Sequence, residues 1–108
     1  MDEVRYILEY IPKEAVEALC EKHASEIAAG ASVWDICPPE YMSKEREVRT
    51  EKEAWDYARI LLPLDEMGEI HVFEQHLEKL GSYRSWETVR RSVVYDEDTA
   101  FDWQSNSD

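Results

Sequence analysis

The sequence has few of the residues on which most catalytic and ligand-binding motifs depend. Its 108 residues include three glycines, two cysteines and twelve lysines or arginines. The glycines are isolated, so no glycine-rich loop precedes a helix to cradle a phosphate group. The spacings CxxC and HExxH are absent, as are a nucleophile elbow and the DxDxDG pattern of a calcium loop. We therefore expect a protein that is not an enzyme and that holds no metal ion or other cofactor.

Long apolar runs are also missing. No stretch approaches the roughly 20 apolar residues that a membrane-spanning helix needs. The chain begins MDEVRYILEY, without basic residues ahead of an apolar stretch, which argues against a signal peptide. Cys20 and Cys37 are too few to indicate a disulfide framework. The expectation is one cytoplasmic domain with free thiols and no contact with a membrane.

Negative charge is what the sequence has in excess. Twenty-five acids against twelve bases give a net charge of −13. Residues 1–43 carry nine acids and three bases (−6), residues 44–64 five of each (0), and residues 65–108 eleven acids and four bases (−7). Direct binding to nucleic acid or anionic lipid is disfavoured, because phosphate contacts need Lys and Arg. A basic protein surface would instead be attracted over a long range.

Apolar residues recur mostly at helical spacing. Four segments have apolar positions three and four residues apart: 4–11, 12–30, 50–63 and 65–81. Thr50 and Glu53 form a capping box at the start of the third segment. The predicted fold is mainly α, a small helical bundle of four to five helices over residues 1–95. An acidic, loose tail over residues 96–108 is expected to follow it.

Two segments also fit a β-strand. Val4, Tyr6, Leu8 and Tyr10 alternate along the first segment. Val89, Arg91, Val93 and Tyr95 do the same in a stretch that also fits a helix. The alternative is therefore an α+β fold in which strands near residues 3–11 and 88–95 pair with each other.

Regularly spaced carboxylates on the predicted helices are the first candidate site. Glu14, Glu17 and Glu21 would share one face of the second helix, and Glu74 and Glu78 would lie one turn apart on the fourth. Few bases neighbour either row, although such rows also occur on ordinary solvated helix faces. Carboxylates held on a rigid helix can imitate the phosphate spacing that a basic groove accommodates.

The C-terminal stretch is the second candidate site. Aromatic rings alternate there with carboxylates, and the residues expected to bind a partner are Asp96, Asp98 and Trp103. Stacking faces combined with negative charge are also what a nucleic-acid strand offers to a protein. The alternatives are a solubilising tail, or aromatic side chains that fold back onto the core.

These features favour a small acidic protein that inhibits a nucleic-acid-binding protein or nuclease complex by occupying its basic surface. In size and composition the chain resembles the phage-encoded DNA mimics, anti-restriction proteins and anti-CRISPR proteins. That resemblance is one of class, and no motif assigns a role to a residue. Two alternatives remain: an immunity protein or antitoxin that neutralises a basic toxin, and a non-catalytic subunit or adaptor of a larger assembly.

Overall fold

The protein folds as a five-stranded antiparallel sheet with helices, in a computed structural model that describes residues 3–98 and 101–105. The strands are β1 (Val4–Tyr10), β2 (Lys44–Val48), β3 (Ile70–Leu80), β4 (Tyr83–Val94) and β5 (Gln104–Ser105). The helices are α1 (Lys13–Lys22), α2 (Ala24–Ala28), α3 (Val33–Ile36), α4 (Pro39–Met42) and α5 (Glu51–Leu61), followed by a 3₁₀ turn at Leu62–Leu64. The strand order is β2-β1-β3-β4-β5, and all neighbouring strands are antiparallel.

The prediction of a mainly α helical bundle is therefore wrong, because the chain forms a small α+β fold. The predicted first and fourth helices are the strands β1 and β3. The α+β alternative named the correct class, but β1 does not pair with β4. Instead β3 lies between them and pairs with both.

Strand β3 shows why the helical pattern was misleading. Ile70, Phe73 and Leu77 stand at helical spacing, yet Ile70 and Val72 are fully buried on one face of the sheet. The next residue on that face is Glu74, which is also buried. A charged residue at a core position breaks the apolar alternation by which a strand is recognised in a sequence.

Two of the predicted helices are confirmed. Thr50 caps α5, since its Oγ1 accepts a hydrogen bond from the backbone N–H of Glu53 at 3.1 Å. The segment that follows Pro12 is helical as α1 and α2, and Gly30 lies two residues beyond α2 at φ +105°. Only glycine adopts such an angle readily, so this position suits the end of a helix.

Helix α5 covers one face of the sheet and forms the core with it. Its buried side consists of Ala54, Ala58 and Leu61. These residues belong to one cluster with the fully buried strand residues Leu8 and Val72. Burial of this kind supplies roughly 1.5–3 kcal/mol for each large aliphatic side chain. On the opposite face, strand residues line an open depression of about 550 Å³.

The β3–β4 hairpin is the longest element of the sheet. Its two-residue turn has Gly81 at φ +61°, the first central position of a type II′ turn, where glycine is required. The register shifts between Glu74 and Gln75, whose partners are Arg90 and Thr88, so Val89 is an extra residue in β4. Such a β-bulge bends the strand and redirects side chains beside it.

Candidate functional site

The first predicted acidic row is present as a helix face. Glu14, Glu17 and Glu21 all lie on α1, and all three are exposed. Val16 is the buried residue of this helix, so it anchors the opposite side. Within residues 3–98 and 101–105, no lysine or arginine forms an ion pair with these three carboxylates.

The second predicted row is not built as a helix face. Glu74 and Glu78 both lie on strand β3. Glu78 is exposed near the tip of the hairpin, opposite Ser85. Glu74 is buried, with 9% of its side chain exposed, so it does not face solvent.

Glu74 is the centre of a buried polar cluster. Arg90 donates to it twice, from Nε to Oε2 at 3.0 Å and from Nη2 to Oε1 at 2.6 Å. The hydroxyl of Tyr6 donates to Oε1 at 3.0 Å, and Nε2 of His76 lies 3.3 Å from Oε2. Both carboxylate oxygens of Glu74 therefore have hydrogen-bond partners, which a buried charge requires.

The cluster shifts the pKa values of its members. Hydrogen bonds from Arg90 hold the pKa of Glu74 below its ordinary value. Burial, reinforced by the hydrogen bond to Glu74, raises the pKa of Tyr6 to about 12. The same carboxylate raises the pKa of Arg90. These directions keep Glu74 and Arg90 charged and Tyr6 neutral at neutral pH, which suits a structural role better than proton transfer.

Two of the predicted tail residues are at the surface. Asp96 and Asp98 follow β4 and are exposed, and the backbone N–H of Asp98 donates to Oδ1 of Asp96 at 2.9 Å. Residues 99, 100 and 106–108 of the predicted tail lie outside the described residues.

Trp103 is placed against the core. It packs with Phe101 on the main hydrophobic cluster, and β5 joins the sheet beside β4. Its ring lies 6.0 Å from that of Tyr6, and its Nε1 donates to Oε1 of Glu51 at 3.0 Å. The guanidinium of Arg90 lies 4.5 Å from the centre of the ring. We call residues 101–105 the C-terminal segment.

Most arginine side chains lie over aromatic rings. Within the part of the chain that the structure describes, five of the seven arginines lie 4.3 to 5.7 Å from an aromatic ring centre: Arg5, Arg46, Arg49, Arg59 and Arg90. Between these described residues, lysine or arginine forms ion pairs with three carboxylates, those of Glu47, Asp56 and Glu74. Most of the acidic excess is therefore left without a neighbouring lysine or arginine.

Ten of the nineteen exposed acids among the described residues lie on three connections at one end of the sheet, where exposed bases are few. The register pairs Tyr10 with Lys44, Glu9 with His71 and Ile70 with Val94, so segment 11–43 begins and ends at this end, segment 62–69 ends there and segment 95–98 begins there. We call it the acidic end, and its exposed acids are Glu14, Glu17, Glu21, Glu26, Asp35, Glu40, Glu66, Asp96, Glu97 and Asp98. Its exposed bases among the described residues are Lys13, Lys22 and Lys44.

The side chain of Asp65 links segments 11–43 and 62–69 by hydrogen bonds. It is 2% exposed and accepts three backbone N–H groups, from Ile11 at 2.6 Å, Met67 at 2.8 Å and Glu69 at 3.1 Å. The backbone N–H of Glu66 also donates to the carbonyl of Ile11 at 2.8 Å. Segments 11–43 and 62–69 are therefore held to each other where they meet the sheet.

Exposed apolar side chains at the same end were missed by the sequence analysis. Five large hydrophobic residues of these segments and of the end of α5 are more than half exposed: Tyr41, Ile60, Leu64, Met67 and Tyr95. From the sequence, Tyr41 is expected to pack its connector, which contains Pro38 and Pro39, onto the core, but 77% of the residue is exposed. Exposed aromatic and apolar residues of this kind are typical anchors of protein interfaces.

The described residues offer no metal centre, since no group of three or more His, Cys, Asp and Glu among them is arranged around a common point. Cys20 and Cys37 are unpaired thiols. None of the described helices is long and apolar enough to cross a membrane. Comparison with protein-family models, curated proteins and solved structures gave no match for this chain.

Proposed function

We propose that this chain is a non-catalytic binding protein whose acidic end occupies a basic surface of another protein. The observation that carries the proposal is the excess of exposed carboxylates over exposed bases on segments that meet the same end of the sheet. Those segments contain ten exposed acids and two exposed lysines, Lys13 and Lys22, and a third lysine, Lys44, begins the adjoining strand β2. A field of one sign over a limited area steers a cationic partner towards that area and orients it before contact.

The exposed apolar residues at the acidic end support a protein partner. Charges raise the rate of association and select the partner, whereas desolvated aromatic and aliphatic side chains supply most of the affinity. Tyr41 and Tyr95 are 77% and 66% exposed. Each is adjacent in the chain to an acidic residue, Glu40 and Asp96 respectively. Such pairs fit a basic surface that also contains apolar pockets.

Among basic partners, we favour a nucleic-acid-binding protein. Glu14, Glu17 and Glu21 lie on a single helix, so their mutual spacing is fixed by the backbone. A cationic surface that normally contacts phosphates is complementary to such a row. The chain would then act as a competitive inhibitor of nucleic-acid binding.

The proposal is tested with two variants that change the net charge equally. Glu14, Glu17 and Glu21 are changed to Lys in the first, and Glu3, Glu78 and Glu87 in the matched control. Either set shifts the net charge from −13 by +6, to −7. The tagged wild type captures its partner from an extract of the source cells, and the purified partner is titrated with each protein by calorimetry at low and high salt.

We expect the first variant to bind about tenfold to a hundredfold more weakly, because each exposed charge pair contributes about 0.5 kcal/mol and reversal turns attraction into repulsion. The control should stay within about threefold of the wild type. The wild type should also displace nucleic acid from the partner. Equal weakening by both variants, or affinity that salt leaves unchanged, would contradict the proposal and favour an adaptor held by apolar contacts.

A further inference from the structure

Three aromatic rings form a continuous wall between α5 and the C-terminal segment. The rings of Trp55 and Phe101 meet edge to face at 5.2 Å, and those of Phe101 and Trp103 are 5.0 Å apart. Together with Glu51 and Lys52 they line an open depression of about 620 Å³. We call this depression the aromatic groove.

The rings of the aromatic groove already attract guanidinium groups. Arg59 lies 4.5 Å from the ring centre of Trp55, and Arg90 lies at the same distance from that of Trp103. No described cation stacks on Phe101. The face of an aromatic ring is electron-rich, so a cation placed over it is attracted electrostatically.

A fixed carboxylate stands beside these rings. Oε1 of Glu51 accepts the indole N–H of Trp103 at 3.0 Å, which holds the side chain at the edge of the groove. The neighbouring cation, Lys52, pairs with Asp56 at 3.4 Å on the next turn of α5. Glu51 itself forms no ion pair with a described lysine or arginine, so its carboxylate can pair with a cation from a partner.

We propose that the aromatic groove binds an arginine side chain from an extended segment of a protein partner. Ring centres 5.0 to 5.2 Å apart leave no space for a cation between the rings, so the rings form a wall and not a cage. Neighbouring rings are inclined by 89° and 57°, so a planar guanidinium can stack on one ring and pair with Glu51, whereas a rounded ammonium group makes less contact. The inference rests on the proposed function in one respect, namely that the partner is basic.

The test uses a blocked tri-arginine peptide as the probe and follows the indole N–H signals of the four tryptophans by NMR. The signals of Trp55 and Trp103 should shift and saturate, while that of Trp34 on α3 should not respond. A tri-citrulline peptide has nearly the same shape without the charge and should cause no shift, and tri-lysine should bind more weakly. Equal shifts of all four signals, or none, would overturn the inference.

Substitutions then show which residues are needed for binding of the tri-arginine peptide. Phe101→Leu removes one ring, and Glu51→Gln removes the charge but keeps an oxygen that can accept from Trp103. Each should weaken tri-arginine binding about threefold or more, whereas Tyr83→Leu at the exposed hairpin tip should not. The chemical shifts of the amide groups show whether each variant remains folded, and wild-type affinity in the folded Phe101→Leu variant would exclude the groove.

The test of the aromatic groove can fail or succeed independently of the test of the acidic end. The variant with lysines at positions 14, 17 and 21 should still bind tri-arginine in the aromatic groove, because those residues lie on α1. A loss of tri-arginine binding in that variant would show that the peptide follows the overall charge, and the inference would fail. If instead the acidic end proves irrelevant to the captured partner, the peptide result still stands alone.

Discussion

Arg90 and Glu74 face each other across strands β4 and β3 and share two hydrogen bonds, of 3.0 and 2.6 Å. They are the last regular pair before the extra residue Val89. Glu74 is buried, whereas 39% of the Arg90 side chain is exposed. Glu74 is thus a charged residue at a core position, and Arg90 pairs with it from the surface.

Removal of Arg90 alone should destabilise the fold more than replacement of both residues. Arg90→Met leaves the Glu74 carboxylate buried without its main donors and should cost about 2–3 kcal/mol of unfolding free energy. The double variant Glu74→Leu/Arg90→Met leaves no orphaned charge and should lose less. Urea denaturation measures both. A double variant that is less stable than Arg90→Met would show that the pair itself stabilises the fold.

The cluster also predicts how stability depends on pH. A carboxylate with a lowered pKa stabilises the fold fully above its ordinary pKa, here 4.5, and this contribution is lost as the pH falls through the folded value. Tyr6 behaves in the opposite sense. Its folded pKa of about 12 exceeds the ordinary 10.0, so its contribution is complete below pH 10.0 and is lost between these values.

Single substitutions separate the effect of Glu74 at low pH from the effect of Tyr6 at high pH. The stability advantage of the wild type over Glu74→Gln should shrink below pH 4.5, and its advantage over Tyr6→Phe should shrink above pH 10.0. Chemical denaturation at a series of pH values, with Tyr57→Phe as a matched tyrosine control, measures both differences. A constant advantage over either variant across its range would mean that the pKa of that residue is not shifted.

Truncation after Asp98 should destabilise the protein strongly. It removes the rings of Phe101 and Trp103 from the core, and it leaves buried Ser92 without the backbone N–H of Asp102, which donates to it at 2.9 Å. The combined cost should be about 4 kcal/mol, or a fall of more than about 10 °C in Tm. Tyr83→Ala at the exposed tip is the control. An unchanged Tm would support the loose tail expected from the sequence.

Gly81→Ala tests the turn of the hairpin. A Cβ at this position would meet no heavy atom within 4 Å, so any cost comes from the backbone angle of +61° alone. That cost should be about 1–2 kcal/mol, because residues with a side chain rarely adopt this angle. Ser82→Ala, at the neighbouring turn position, should leave stability nearly unchanged. Equal thermal unfolding of the two variants would contradict the described turn.

Local signals in the sequence identified the elements that depend on local contacts. The hydrogen bond from the backbone N–H of Glu53 to Oγ1 of Thr50 spans three residues, and the spacing of apolar residues on α1 reflects one turn of helix. The sequence placed Glu14, Glu17 and Glu21 correctly on one helix for that reason. Helices whose stability comes from neighbours in the chain can be recognised without knowledge of the fold.

Other features depend on contacts between residues far apart in the chain. Asp65 begins a segment that was predicted to be helical, but it accepts the N–H of Ile11, 54 residues away. Glu74 was placed on a solvated helix face, because nothing in the neighbouring sequence reveals that Arg90 and Tyr6 satisfy it. Sheet pairing brings these groups together, and the apolar pattern of a segment does not encode its partner.

The division of positive charge between arginine and lysine has a consequence for modification of the protein. Most arginines are stacked on rings, whereas all five lysines, Lys13, Lys22, Lys44, Lys52 and Lys79, have exposed side chains. Acetylation of all five amines would change the net charge from −13 to −18 while the stacked guanidinium groups stay in place. Chemistry restricted to amines would therefore strengthen the negative potential of this protein, and the described ion pair that it would break is Lys52–Asp56.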